Sequence, residues 1–178
     1  MVNHYIVIAE EGDLIGEKKL LSQYIAGEWK GDQWLTPDGE EWQVIITGVG
    51  AVNVIRALQD LPRESVVLNI GYAGSSNFEI GSAVMVEEVR LNHPNCSYPE
   101  PVMKLDILPK EYRRQDEGKT SICYSGADFV LASDYKDCTF DMELAYIAAM
   151  GFKTCYALKI VSDNLSLHDY RKVAAGVQ

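Results

Sequence analysis

Short apolar segments alternate with helical patterns along most of this chain. The segments HYIVIA (4–9), WQVIIT (42–47) and SVVLNI (65–70) are rich in β-branched residues and predict strands. Helical patterns at 14–25 and 53–61 follow the first two of these segments. Strands that alternate with helices predict an α/β fold with a largely parallel sheet.

Length and net charge indicate how many domains the chain forms and what kind of partner it binds. The 178 residues fit one domain with a single core, and the net charge of −10 argues against nucleic acid and anionic membranes as partners. A small molecule or a protein surface is the expected partner. Because the chain has no run of eighteen apolar residues and no signal-like N-terminus, we expect a cytoplasmic protein.

The four cysteines predict buried thiols rather than a metal centre. Cys96, Cys123, Cys138 and Cys155 have no CxxC spacing and no neighbouring histidine cluster. Cys123 and Cys155 lie inside apolar runs, where cysteine behaves as a small hydrophobic residue. A disulfide or a metal site is the alternative, and we predict no metal and no cofactor.

The rest of the chain adds further elements. Residues 29–41 predict a loop or hairpin, whereas 81–92 and 120–125 predict strands. The proline-containing region 94–118 predicts an irregular excursion from the compact body, and a short helix is expected from about Leu167 onwards.

Residues 139–163 predict one helix, a tight glycine turn and one buried strand that ends on Asp163. The helix is expected to carry an apolar stripe of Phe140, Leu144, Ile147 and Ala148. Glu143 falls on the same stripe and needs partners or a ligand there, because an unpaired buried charge is costly. Two acids directed at one place predict a functional site.

The carboxyl ends of the predicted strands gather several glycine-bearing turns. In parallel sheets ligands bind beyond these ends, which brings 48–50, 71–74, 125–129 and Asp163 to one crevice. The sequence GVGAVN at 48–53 only partly matches a dinucleotide fingerprint, because an asparagine replaces its third glycine and no acid ends the next strand. A plain tight turn, or a turn that lines a small-ligand site, are the alternatives.

Four segments together resemble the nucleoside phosphorylase/nucleosidase superfamily, and most of all 5′-methylthioadenosine/S-adenosylhomocysteine nucleosidases. They are TGVGAVN, NIGYAGSSNFEIGSAVMVEEV, SGADFV, and FDMELAYIA followed by KIVSD. The resemblance implies a three-layer sandwich in which helices flank a central mixed, largely parallel sheet. It also implies a single domain over 1–178, shortened in the 94–118 region and at the C-terminus, and a homodimer or higher homo-oligomer.

The resemblance further implies hydrolysis of the N-glycosidic bond of a purine nucleoside, with Asp163 and Glu143 in the leading roles. Asp163 would protonate the leaving base with help from Ser162, as a general acid. Glu143 would accept hydrogen bonds from the sugar hydroxyls, and Met142 would pack on the sugar face. Carboxylates and hydrogen bonds stabilise the cationic transition state of such a cleavage.

Other positions are assigned by the same resemblance. Phe129 would stack on the base, although a core position is the alternative, and the main chain of Val130 would read the base edge. The site would also include Gly71, Tyr72, Ala73 and Lys159. The general base is expected in the acid-rich run after the first strand, at Glu11 or Asp13, and a solvated helix start is the alternative there.

Three departures from the superfamily leave the type of reaction open. Asn69 stands where phosphorylases carry a phosphate-binding arginine, which favours water as the nucleophile over phosphate. Tyr72 is bulky for the position near the nucleophile, and Lys159 replaces an arginine of the hydrolases. The alternatives are therefore a phosphorylase or a nucleoside-binding homologue with weakened catalysis.

Overall fold

The computed structural model describes residues 3–10, 16–93, 101–115 and 118–175. These ranges contain the following strands and helices: β1 (His4–Ile8), α1 (Lys18–Tyr24), β2 (Glu28–Lys30), β3 (Gln33–Leu35), β4 (Glu41–Ile46), α2 (Ala51–Leu58), β5 (Val66–Gly74), β6 (Ala83–Leu91), β7 (Val102–Lys104), a 3-10 turn (Lys110–Tyr112), β8 (Lys119–Ser125), β9 (Cys138–Asp141), α3 (Leu144–Ala149), β10 (Thr154–Asp163) and α4 (Leu167–Ala174).

One large mixed sheet contains all of these strands. Strands β4, β1, β5 and β10 lie side by side in parallel, and the hairpin β2–β3 extends this part beyond β4. On the other side, β10 pairs antiparallel with β6, and β6, β8 and β9 continue in parallel. Strand β9 then returns to β5, so five strands close into a ring. The predicted mixed α/β class is confirmed.

The buried side chains form separate clusters that follow the alternation of the strands, because successive strand residues point to opposite faces. One cluster joins α1 to even-numbered residues of β1 and β5, and includes Leu20, Leu21, Ile6, Ile8, Leu68 and Ile70. Another joins α2 and α3 to the odd-numbered residues, and includes Val54, Leu58, Ile147, Tyr5, Val7 and Val67. The two sets of helices thus contact different residues of the same strands.

The predicted glycine turn at 71–74 is wrong, because β5 continues through Gly74. The segment is paired with β10 along its whole length, from Gly71 opposite Lys159 to Gly74 opposite Asp163. Ladder hydrogen bonds to a neighbouring strand outweigh the turn preference of glycine. The extension carries β5 directly along the wall of the site described below.

The predicted helix within 139–163 is also shorter than expected. Phe140 lies in β9, where the segment CTFD pairs with β8, and helix α3 begins only after Glu143. Strand pairing decides the conformation here, because Thr and Phe favour a pleated surface as readily as a helical stripe. Strand β10 and its end at Asp163 agree with the prediction.

Smaller differences concern the edges of the molecule. The region 94–118 is not irregular throughout, since it contains β7 and the 3-10 turn, while 94–100 lie outside the described residues. Cys123, Cys138 and Cys155 are buried free thiols, and Cys96 lies outside the described residues. Among the described helices, none has the length and apolar character needed to cross a membrane.

Candidate functional site

A cavity of about 210 Å³ opens at the carboxyl ends of β1, β5 and β10. Eight of the residues predicted from the sequence line it: Tyr72, Ala73, Phe129, Val130, Met142, Glu143, Ser162 and Asp163. Gly71 and Lys159 do not line the cavity and lie behind its wall. Glu11 and Asp13 lie outside the described residues.

Asp163 is buried at the end of β10, where the strand leaves the sheet. The Ser162 hydroxyl donates to its Oδ2 at 2.7 Å, and the amide of Leu165 donates to its Oδ1 at 2.9 Å. Burial raises the pKa of Asp163 above its ordinary value, although these two hydrogen bonds act in the opposite direction. The neutral form of Asp163 is therefore more favoured in the protein than it would be in water, and a proton donor must be in its neutral form.

Glu143 immediately precedes α3 and reaches across to the turn between β4 and α2. Its Oε2 accepts a hydrogen bond from the amide of Gly50 at 2.9 Å. Burial, and then the negative charge of Asp141, raise the pKa of Glu143 to about 7, while Lys159 partly offsets them. Val49 of the same turn lines the cavity, so the turn at 48–50 borders the site.

A buried ion pair, which the sequence did not reveal, joins Asp141 of the cavity lining to Lys159. Lys159 Nζ is 2.9 Å from Asp141 Oδ2, and both side chains are almost fully inaccessible to solvent. Asp141 also accepts hydrogen bonds from the Ser125 hydroxyl and from the amide of Leu144. The pair ties β10 to β9 and to the start of α3.

Both members of this pair stay charged. Burial is the largest single influence on the pKa of Lys159 and would lower it, but the surrounding acidic groups, with Asp141 first among them, together outweigh burial and hold that pKa above its ordinary value. Burial is likewise the largest influence on the pKa of Asp141 and would raise it, but Lys159, together with the hydrogen bonds from Ser125 and Leu144, holds it below its ordinary value. The ammonium group is therefore committed to Asp141 rather than to the cavity.

Glu17 is the acid of the site that sequence reasoning missed. It lies at the N-terminal end of α1, lines the cavity and is only 6% exposed. Its Oε1 accepts a hydrogen bond from the amide of Glu10 at 3.2 Å, and its own amide donates to the carbonyl of Glu10 at 3.1 Å. These two contacts hold Glu17 against the end of β1.

The environment of Glu17 strongly favours its neutral form. Burial raises the pKa of Glu17 to about 8, and Glu143 adds to the shift, while Lys159 opposes it. In the sequence, Glu17 is one polar residue within a helical pattern, and nothing near it marks burial.

Aromatic side chains form one wall of the cavity. Phe129 and Tyr170 lie with ring centroids 5.7 Å apart, and Tyr72 meets Tyr170 edge-on at 6.2 Å. The Tyr170 hydroxyl donates to Glu10 Oε2 at 3.1 Å, which joins α4 to the end of β1. Such a wall can hold a flat heterocycle beside the carboxyl groups.

The fold is that of solved enzymes that act on nucleosides. MTAN of Chlamydia trachomatis aligns over 99% of this chain and 94% of its own, with a TM-score of 0.69 and 15% identity. The 5′-methylthioadenosine/S-adenosylhomocysteine nucleosidase of Helicobacter pylori, solved with butyl-thio-DADMe-Immucillin-A, aligns over 99% of this chain and 92% of its own, with a TM-score of 0.66 and 17% identity. Futalosine hydrolase of Helicobacter pylori aligns over 98% and 89%, with a TM-score of 0.62 and 16% identity.

At these identities the likeness establishes the fold alone, and it confirms the mixed α/β, nucleosidase-like fold that the sequence segments led us to expect. No protein-family model matches the chain, and no curated protein matches it in sequence.

Proposed function

We propose that this protein hydrolyses the N-glycosidic bond of a purine nucleoside of the methylthioadenosine/adenosylhomocysteine type. The observation that carries the proposal is the meeting of Glu17, Glu143 and Asp163 around one cavity with an aromatic wall. Solved proteins of the same fold give support, since a variant of the Chlamydia trachomatis MTAN has been crystallised with MTA, and the MTAN itself with adenine.

In the proposed reaction Asp163 donates its proton to a ring nitrogen of the purine as the bond to the sugar breaks. The bonding electron pair leaves with the base, and positive charge develops on the sugar. Glu143, in its ionised form, accepts hydrogen bonds from the sugar hydroxyls and stabilises that charge. A water oxygen then bonds to the anomeric carbon while Glu17 takes the proton of the water. The products are the free base and the free sugar.

The remaining wall residues orient the substrate. Phe129 and Tyr170 provide the surface on which the purine stacks, and the main chain of Val130 lies beside the edge of the base. Met142 packs on the sugar next to Glu143. Ala73, at the end of β5, lets the nucleoside approach the main chain closely.

The charges around the cavity favour water over phosphate as the nucleophile. Six carboxyl residues line it, namely Glu10, Glu17, Asp128, Asp141, Glu143 and Asp163, and the described lining residues include no lysine or arginine. Asn69 is buried and donates to the carbonyl of Val7 at 3.0 Å, away from the cavity. A phosphate dianion would meet repulsion here without a cationic partner.

A nucleoside-binding protein without turnover is the second candidate, and Tyr72 is the observation that favours it. The Tyr72 ring lines the cavity close to Glu17. Burial is the largest cause that raises the pKa of Tyr72, and the charge of Glu17 is the next. A phenol ring at this place reduces the room for an attacking water molecule.

We further propose a single three-layer domain over 1–178 that acts as a homodimer. The layers are supported by the separate packing of α1 and of α2 with α3 on the sheet. An exposed apolar face on β4 and α2, formed by Ile46, Val49, Val52 and Ile55, adjoins the cavity and supports the dimer. Light scattering of the purified protein tests it, and a monomer at micromolar concentration would reject it.

A panel of nucleosides tests the function. Each purine and pyrimidine nucleoside, with and without a 5′-alkylthio group, is incubated in phosphate-free buffer, and the free base is measured by liquid chromatography. We expect adenine from the 5′-alkylthio adenosines. Base release only after phosphate is added would make the protein a phosphorylase. Tight binding by calorimetry without any base release would make it a binding protein.

A further inference from the structure

We infer that Gly71 is a positioning residue that gives the Glu17 carboxylate its place, an inference that rests on the proposed role of Glu17 as general base. Gly71 lies within β5, directly opposite Lys159 of β10. The carboxylate of Glu17 comes in from the start of α1 and packs against it. A Cβ atom at position 71 would lie 2.2 Å from Glu17 Oε2 and 3.5 Å from Lys159 Nζ.

A side chain at position 71 and the carboxylate of Glu17 therefore exclude each other. Non-bonded carbon and oxygen atoms do not approach to such a distance, and close approach is one of the reasons for glycine in a strand. The backbone does not explain this glycine, because Gly71 is not among the glycines with positive φ and β5 is regularly paired there. Proximity to Glu17 is the reason that remains.

The position of the carboxylate is defined from two sides. The amide of Glu10 holds Oε1 at 3.2 Å, and the bare backbone of Gly71 receives Oε2. Glu17 lines the cavity, and the charge of Lys159 lowers the pKa of this carboxyl group against the effect of burial. A displacement of about 1 Å in a catalytic group can cost on the order of 100-fold in rate.

The substrate contacts arise elsewhere, so the effect should fall on turnover rather than on binding. Glu143 belongs to the start of α3 and is held by Gly50, and Phe129 belongs to the segment after β8. Neither of them contacts the place where the new methyl group would lie. We expect Gly71→Ala to lower kcat by roughly 10- to 100-fold and to change KM by less than about threefold.

A matched glycine gives the control. A Cβ at Gly118 would meet only the flexible end of Met85 at 3.0 Å, and Gly118 is not among the residues that line the cavity. Gly118→Ala should therefore keep the wild-type kcat. An unchanged kcat in Gly71→Ala would overturn the inference.

Shortening the acid tests whether the effect passes through Glu17. Glu17→Asp moves the carboxylate back by about one carbon–carbon bond and leaves room for a methyl group. Adding Gly71→Ala to Glu17→Asp should then lower kcat by less than about threefold. The same loss in both backgrounds would overturn the inference. If Gly71→Ala does not fold, we expect the double variant Glu17→Asp/Gly71→Ala to fold, because the shorter acid makes room for the methyl group. A double variant that is also unfolded would overturn the inference.

A titration separates this inference from the proposed function. The side-chain carboxyl carbon of Glu17, assigned by its loss in Glu17→Gln, is followed by NMR against pH in protein without substrate. We expect a midpoint near 8 in the wild type and a different midpoint in Gly71→Ala, because the methyl group changes both the burial of the carboxylate and its distance from Lys159. An unchanged midpoint overturns the positioning role. Absence of base release by the wild type rejects the proposed function and leaves the titration to decide about Gly71.

Discussion

Glu17, Glu143 and Asp163 are acids whose pKa values are all raised, and burial is the largest cause for each of them. The three acids differ in the groups that donate hydrogen bonds to them. Asp163 is held by a hydroxyl and an amide, Glu143 by one amide, and Glu17 by the amide of Glu10. Raised pKa values among neighbouring carboxyl groups that line one cavity are typical of functional sites.

Glu17→Gln should stabilise the folded protein at pH 8 and have little effect at pH 5. The folded-state pKa of Glu17 is about 8, above the ordinary 4.5, so folding favours its neutral form. This contribution is fully present below about pH 4.5 and is lost as pH rises towards 8. Urea unfolding at both pH values measures the difference, which we expect to be ~1–3 kcal/mol at pH 8. Equal effects at pH 5 and pH 8 would contradict the pKa assigned to Glu17.

Glu143→Gln should raise KM and lower kcat. The amide keeps only one oxygen that can accept hydrogen bonds from the sugar hydroxyls, and it carries no negative charge to stabilise the cationic transition state. We expect kcat/KM to fall by ~100-fold or more. Steady-state kinetics with 5′-methylthioadenosine measures the change, with Gly118→Ala as the control. Unchanged kinetics would remove Glu143 from the ribose-binding role.

At the scale of elements, strands β5 and β10 together supply five of the residues that line the cavity, namely Tyr72, Ala73, Gly74, Ser162 and Asp163. Their parallel pairing runs from Val66 opposite Thr154 to Gly74 opposite Asp163. The long apolar runs made these strands predictable. The sequence does not show that β5 passes through its glycines, because only the paired neighbour decides between strand and turn.

The Lys159–Asp141 pair is a buried ionic contact between β10 and β9. Lys159→Met should destabilise the protein by ~3–5 kcal/mol, because it leaves the Asp141 carboxylate buried without its counter-ion. The double variant Lys159→Met/Asp141→Asn should recover part of this loss. Urea unfolding of both variants measures it, and a single variant as stable as the wild type would show that the pair is not needed.

For the whole molecule, the long strands and eight lining residues could be predicted because apolar runs are local signals, whereas strands β7 and β9 could not. Glu17 and the Lys159–Asp141 pair could not. Glu17 meets Gly71 only after α1 has folded back along β5, and Asp141 meets Lys159 only when the ring of strands closes. Contacts between residues far apart in sequence leave no periodic trace.

The pH dependence of activity depends on ionisable groups from several elements of the molecule. Glu143 has a pKa of about 7 and Glu17 of about 8, and both act in their ionised forms. We therefore expect kcat/KM to rise between about pH 6 and pH 8. Glu17→Gln should lower the activity and remove the upper part of this rise. A profile that falls over this range would contradict the base role of Glu17.

The most direct measurement is the rate of adenine release from saturating 5′-methylthioadenosine in phosphate-free buffer, by the wild type and by Asp163→Asn. We expect the wild type to release adenine and Asp163→Asn to release it ~100-fold or more slowly. Nucleoside binding, measured by calorimetry, should be largely retained in the variant. Release by Asp163→Asn at the wild-type rate would contradict the proton-donor role of Asp163. No release by the wild type would contradict hydrolysis itself.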